Sequence, residues 1–191
     1  MSHYEEAPRL APGSRAEWRR WLEENHGSSA GVWLLIAKKG SGAAGLSYED
    51  ALEEALCFGW IDSRVRRLDE RHFHQWYCPR HPGSIWSAPN KARLARLIEA
   101  GLMAPPGLAK IEAARADGSW EILDKVEALE VPDDLAAALA ANPTAASGFA
   151  AMAPSERKQY LYWVLSAKRP DTRAKRIAAL LEAAVGGPTP N

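Results

Sequence analysis

Between Gly59 and Arg96 the chain makes two opposite demands on its fold. The stretch holds Trp60, Trp76 and Trp86, three of the eight tryptophans, whose rings call for burial. It also holds Arg64, Arg66, Arg67, Arg71, Arg80, Lys91, Arg93 and Arg96 against only Asp62, Asp69 and Glu70. Guanidinium groups must reach water or an anion, so the segment is not plain core, and the aromatics exclude a solvated tail. It reads as a β-hairpin leading into a helix, with a basic, aromatic-edged surface.

Periodicity divides the rest. Ser14 with Glu17 forms a capping box before a helix whose Trp18, Trp21 and Leu22 make an apolar stripe. Gly31–Ala37 is apolar on both sides, as in a strand inside a sheet. Ser47 caps a second helix that Gly59 ends. Ile61–Leu68 and Arg71–Cys78 are the hairpin strands. Strict alternation puts Trp60, Asp62, Arg64 and Arg66 on one face and Ile61, Ser63, Val65 and Arg67 on the other. Helices follow from Ser87 and from Pro105–Pro106, residues 117–131 are mixed, and helices then run to a proline-broken pair around Arg169–Pro170, the last capped by Asp171 or Thr172. The expected class is α+β: a small, mostly antiparallel sheet with surrounding helices and a helical C-terminal third. The expected organisation is an arm over 1–13, an α+β domain over 14–131, a helical module over 132–185 and a tail over 186–191.

The 191 residues have formal net charge zero, which argues against wholesale binding to nucleic acid or a membrane. Distribution says more than the total. Residues 60–96 carry eight basic and three acidic groups, and 156–176 carry seven and two, within an acidic background. Two cysteines do not make a disulfide framework. With no secretion-like start and no bilayer-length apolar run, the expected location is the cytoplasm.

No nucleotide-binding glycine loop, GxSxG or HExxH pattern is present, so chemistry must come from clusters. His72, His74, Cys78 and His81 have donor types that suit zinc, but their spacing lacks a tight knuckle, and no metal or other cofactor is expected. Cys57, between Leu56 and Phe58, reads as a core thiol, and Cys78 beside Arg80 and His81 is weak evidence for a nucleophile. An anion site is the reading that the surplus of arginines favours, because exposed pairing with Asp62, Asp69, Glu70 and Asp171 cannot absorb it. Arg64, Arg66, Arg80 and the helix start at Ser87 form one cradle, and Lys168–Arg176 forms a second.

The blocks Ala55–Asp62 (ALCFGWID), Pro79-Arg80, Ser84-Ile-Trp-Ser87, Asn90-Lys91 and Ala167–Arg173 (AKRPDTR) resemble the YdeI/OmpD-associated (OmdA) family. Trp18–Leu22, Gly31-Val-Trp33 and Gly101-Leu-Met103 agree in order. The resemblance spans about 14–185, with 145–185 as the part that defines the OmdA module. It implies a cytoplasmic bacteriocin-protection or stress-resistance protein without established catalytic residues. Sequence and resemblance together nominate Trp60, Asp62, Arg64, Arg66, Arg80, Ser84, Trp86, Ser87, Asn90, Lys91, Lys168, Thr172 and Arg173. They are expected to line a basic cleft, walled by Trp60 and Trp86, that takes a phosphate- or carboxylate-bearing small molecule or polymer. The alternatives are an enzyme using Asp62 as acid or base, and nucleic-acid binding through the two basic islands.

Overall fold

Ser14 and Ser47 set the first two helices. Each has extended backbone angles, and each hydroxyl accepts the amide N–H three residues on, from Glu17 and from Asp50. The helices are α1 (Arg15–Asn25) and α2 (Tyr48–Cys57). The computed structural model describes Tyr4 and residues 7–186. Residues 1–3, 5 and 6 of the expected arm and 187–191 of the expected tail lie outside the described residues. The chain forms two compact units: Met1–Ser84 with Pro89–Ala116, and Ile85–Ala88 with Asp117–Asn191.

The first unit holds a four-stranded sheet in the order β1 (Arg9–Leu10), β2 (Val32–Ala37), β4 (His72–Pro79), β3 (Trp60–Arg67). Two pairings are antiparallel and one is parallel, β1 with β2. β1 comes from the expected arm. β2 is interior, as its two-sided apolarity requires. Trp18 and Leu22 of α1, Leu34 and Ile36 of β2, Leu52 and Leu56 of α2, Trp60 and Tyr77 are all buried. The Trp18 ring stacks on Trp21, meets Trp60 edge-on at 6.4 Å, and donates its indole N–H to Ala51 O at 3.0 Å. Beside this cluster the buried Glu54 carboxylate receives Arg15 Nε at 2.5 Å and Arg19 Nη1 at 2.8 Å, clasping α1 to α2. Gly59 (φ 74°) ends the turn after α2. Helices α3 (Ala88–Glu99) and α4 (Pro105–Ala116) follow the hairpin. α3 is tied to α2 by the Arg93 fork on Glu49, and α4 approaches Cys57 O so closely that a Cβ at Gly107 would lie 2.1 Å from it.

Strict alternation fails in β3. Asp62 faces Tyr77 but Val65 faces Gln75, so three steps on β3 match two on β4. This β-bulge inserts one residue and reverses which face the rest of the strand presents. Asp62, Val65 and Arg67 consequently share a face with Gln75 and Phe73, and Arg66 pairs with His74 on the other. The expected grouping of Asp62 with Arg64 and Arg66 is corrected accordingly.

In the second unit α5 (Ile122–Glu127) arises in the mixed stretch, followed by α6 (Asp133–Ala140), α7 (Pro143–Ala151), α8 (Pro154–Leu165) and α9 (Pro170–Ala184). Pro170 opens α9, whose N-cap is Arg169 rather than Asp171 or Thr172, because proline's fixed φ suits a first helical position. Leu135, Phe149, Tyr160, Leu161, Val164 and Leu180 form the core of this unit. No helix among the described residues is long and apolar enough to cross a membrane.

Candidate functional site

The bulge gives the hairpin two different faces, and each carries a concavity. The first, of about 340 Å³, is lined by Tyr4, Trp33, Arg64, Val65 and Arg66. The Arg64 guanidinium lies 4.2 Å above the Tyr4 ring and that of Arg66 lies 4.8 Å above Trp33. Trp33 is anchored through its indole N–H to Tyr4 O at 2.9 Å and packs edge-on against Trp76. A guanidinium lying over a ring satisfies its face and leaves its in-plane N–H groups for an acceptor. Among the described residues, no salt bridge joins Arg64 or Arg66 to a carboxylate. His74, opposite Arg66, reports a positive neighbourhood: burial, then the charges of Arg9 and Arg66, hold its imidazole below the usual 6.5 and so favour its neutral form.

The opposite face carries a larger concavity of about 610 Å³, lined by Lys38, Tyr48, Asp62, Val65, Arg67, Phe73 and Gln75. Tyr48 Oη donates to Asp62 Oδ2 at 3.0 Å, and Gln75 Nε2 donates to the same oxygen at 3.3 Å. Burial and the Asp62 carboxylate push the Tyr48 phenol up to about 12, so it stays a donor at neutral pH. Tyr77, directly across from Asp62, is fully buried with a hydroxyl that has no hydrogen-bond partner among the described residues, and burial raises its phenol further. Tyr48, Gln75 and Lys38 were not nominated from sequence. They lie 14, 13 and 24 residues from Asp62, and only the sheet register and the start of α2 beside it join them.

The remaining nominated residues divide between the units. Trp60 is 1% exposed, and its indole N–H is bonded to His26 O at 3.2 Å. Trp86 is 2% exposed, with Trp120 centred 5.2 Å away. Both are core residues rather than ligand walls, because a large ring yields more by burial than by lining an open cleft. Arg80 is buried too (4% exposed), and desolvation lowers its guanidinium to about 10, against the opposing pull of Asp62 and Cys78. It does not stand on a surface cradle. Ser84 donates its amide to His81 O at 3.1 Å in the turn after β4, and Ser87 is half-buried just before α3. Asn90 accepts from Arg93 at 3.4 Å, and Lys91 is half-buried in α3.

In the second unit Lys168 is exposed and Thr172 is half-buried in the first turn of α9. Arg173 is already occupied: Nε and Nη2 fork the Asp134 carboxylate at 2.5 and 2.8 Å, and Nη1 donates to Val164 O at 3.2 Å. Arg176 lies 5.3 Å from the Trp163 ring and donates to Trp163 O and to Ser166 Oγ. These two arginines cap the last carbonyls of α8, which explains the basic elbow without an anion. The hydrogen bond from Arg173 holds the Asp134 carboxyl below its ordinary 3.8. A carboxyl depressed on folding adds stability above 3.8 that is lost as pH falls through the folded value. Arg173→Ala is therefore expected to cost about 1–2 kcal/mol at pH 7, most of it the lost cap because the pair is part-exposed. The difference from wild type should shrink between pH 4 and 2 in urea titrations, and a pH-independent cost would contradict the pairing.

Among the described residues no group of three His, Cys, Asp or Glu could hold a metal ion. His72 instead lies 3.5 Å from Asp69, whose carboxylate accepts the Arg71 and His72 amides at the hairpin turn. Burial pushes the Cys57 thiol up to about 11 and also raises that of Cys78, the reverse of what a nucleophile needs.

Comparison with protein families gives two matches. Residues 10–110 match a domain of unknown function (DUF8412), and residues 128–187 match the family described as Bacteriocin-protection, YdeI or OmpD-Associated. No curated protein and no solved structure matches the chain.

Proposed function

We propose, for a chain that belongs to the DUF8412 family and carries a Bacteriocin-protection, YdeI or OmpD-Associated segment, that its first unit binds a phosphate-bearing ligand at Arg64 and Arg66. The observation that supports this is the pair of ring-stacked guanidiniums with no carboxylate salt-bridged to them among the described residues. Stacking fixes each fork without consuming its in-plane donors, and Arg9 adds positive potential beside them, enough to help hold His74 neutral. The concavity is small, which suits a phosphate or pyrophosphate group rather than a whole cofactor. On this reading the protein is a cytoplasmic binding protein acting in bacteriocin protection or stress tolerance, with both thiols free.

Calorimetric titration with pyrophosphate tests it. Wild type is expected to bind, and Arg64→Ala and Arg66→Ala are each expected to weaken binding about tenfold, the size of one charge-assisted contact. Arg20→Ala, an exposed α1 position, should leave it unchanged. Absence of binding by folded wild type, or binding indifferent to both arginines, removes the proposal.

The nucleic-acid alternative draws on one further observation: Arg67 and Arg71 are also exposed along this hairpin. Single-stranded oligonucleotides binding more tightly than pyrophosphate, with affinity falling steeply in added salt, would favour a polymer as the ligand.

A further inference from the structure

We propose that the concavity on the other face of the hairpin is a separate site for a guanine mononucleotide, with the base edge at Asp62 and the phosphate at Arg67 and Lys38. At about 610 Å³ the hollow is the size of a small-molecule site and is almost twice the first one. Its chemistry is graded from end to end. At the inner end both local donors, Tyr48 Oη and Gln75 Nε2, converge on Asp62 Oδ2. Asp62 lines the hollow, and its Oδ1 accepts no hydrogen bond among the described residues. The middle is apolar: Phe73 is half-buried, and Val65 is 60% exposed.

The outer end is cationic. Lys38 is held by Asp69 O at 2.7 Å, and Arg67 forms no ion pair among the described residues. Five positions separate Asp62 from Arg67, one of them taken up by the bulge, so the ends stand about 13 Å apart at the usual strand rise. That is the reach of a nucleoside monophosphate lying along the strand, its flat base against Phe73.

Acceptor chemistry selects the base. Guanine offers two adjacent donors on its Watson–Crick edge, N1–H and the 2-amino group, and both can converge on Oδ1, the oxygen that Tyr48 and Gln75 do not use. Adenine offers one donor beside an acceptor nitrogen that would face the carboxylate repulsively. Two donors meeting one carboxylate oxygen, against one donor and a repelled acceptor, separate the bases by roughly tenfold or more.

This site does not rest on the pyrophosphate reading, and the two fail separately. Calorimetric titration of the full chain with GMP is expected to show binding, with AMP at least about tenfold weaker. Guanosine, lacking the phosphate, should also bind more weakly than GMP. Asp62→Asn should weaken GMP about tenfold, and Arg67→Ala, at an exposed position that does not threaten folding, several-fold. Arg66→Ala, which weakens the pyrophosphate site, should leave GMP binding within about twofold. No GMP binding by folded wild type overturns the inference. So does equal affinity for AMP, or GMP binding that follows Arg66 instead of Asp62 and Arg67.

Discussion

Gly148→Ala is expected to destabilise the second unit by about 2–3 kcal/mol, although alanine is the better helix former. Gly148 lies inside α7, where the exchange alone would add about 1 kcal/mol. The opposing effect is larger. A Cβ at this position would lie 1.7 Å from Ala184 O and 2.7 Å from Ala184 C in α9. Both are backbone atoms that cannot turn aside, so the two helices must separate around a core that includes Phe149, Leu180 and Ala184. Overpacking of this sort costs about 1–3 kcal/mol even where side chains can adjust. Ser147→Ala supplies the control: it is exposed in the same helix, gains propensity and meets no such contact. Urea denaturation should therefore show a lowered midpoint for Gly148→Ala and an unchanged or raised one for Ser147→Ala. A stabilised Gly148→Ala variant would mean that α7 and α9 do not pack this closely.

Trp18→Ala is expected to cost the first unit about 3–5 kcal/mol, the range for removing a large buried aromatic. Trp18 is fully buried between α1 and the sheet, touching Trp21, Trp60 and Tyr77, and its indole bonds Ala51 O. Trp18→Phe retains most of the apolar area and loses only the indole donor, so it should cost much less. Tryptophan fluorescence during denaturation distinguishes the two. Equal and small effects would show that the aromatic cluster is not what holds α1 on the sheet.

Much of this architecture is legible along the chain because local chemistry decides it. Ser14 and Ser47 cap helices wherever a carboxylate follows at the third position, Gly59 stops α2, and the apolar run at Val32–Ala37 has to be an interior strand. What escapes a sequence reading is decided by partners far away. The bulge in β3 leaves no mark, since Ser63 and Arg64 fit a regular strand equally well, and Ile61 and Val65 suggest the wrong shared face. Trp60 and Trp86 look like ligand walls amid arginines, yet ring area drives both inward. Arg173 looks available until Asp134, 39 residues earlier, takes its fork. The Glu54 clasp with Arg15 and Arg19 is likewise invisible before α1 and α2 are packed. Gln75 joins Asp62 only through the sheet register, and Tyr48 only through the packing of the start of α2.

One structural event sets both sites: the extra residue in β3 sends Arg66 to one face of the hairpin and Asp62 with Arg67 to the other. Residue-resolved NMR during a pyrophosphate titration reads it directly. The expected result is that the Arg64 and Arg66 signals and the Trp33 indole N–H move together, with Tyr48, Asp62 and Gln75 still. Shifts in which Asp62 and Tyr48 move along with Arg66 would instead describe a regular strand with one mixed face, and would contradict the account.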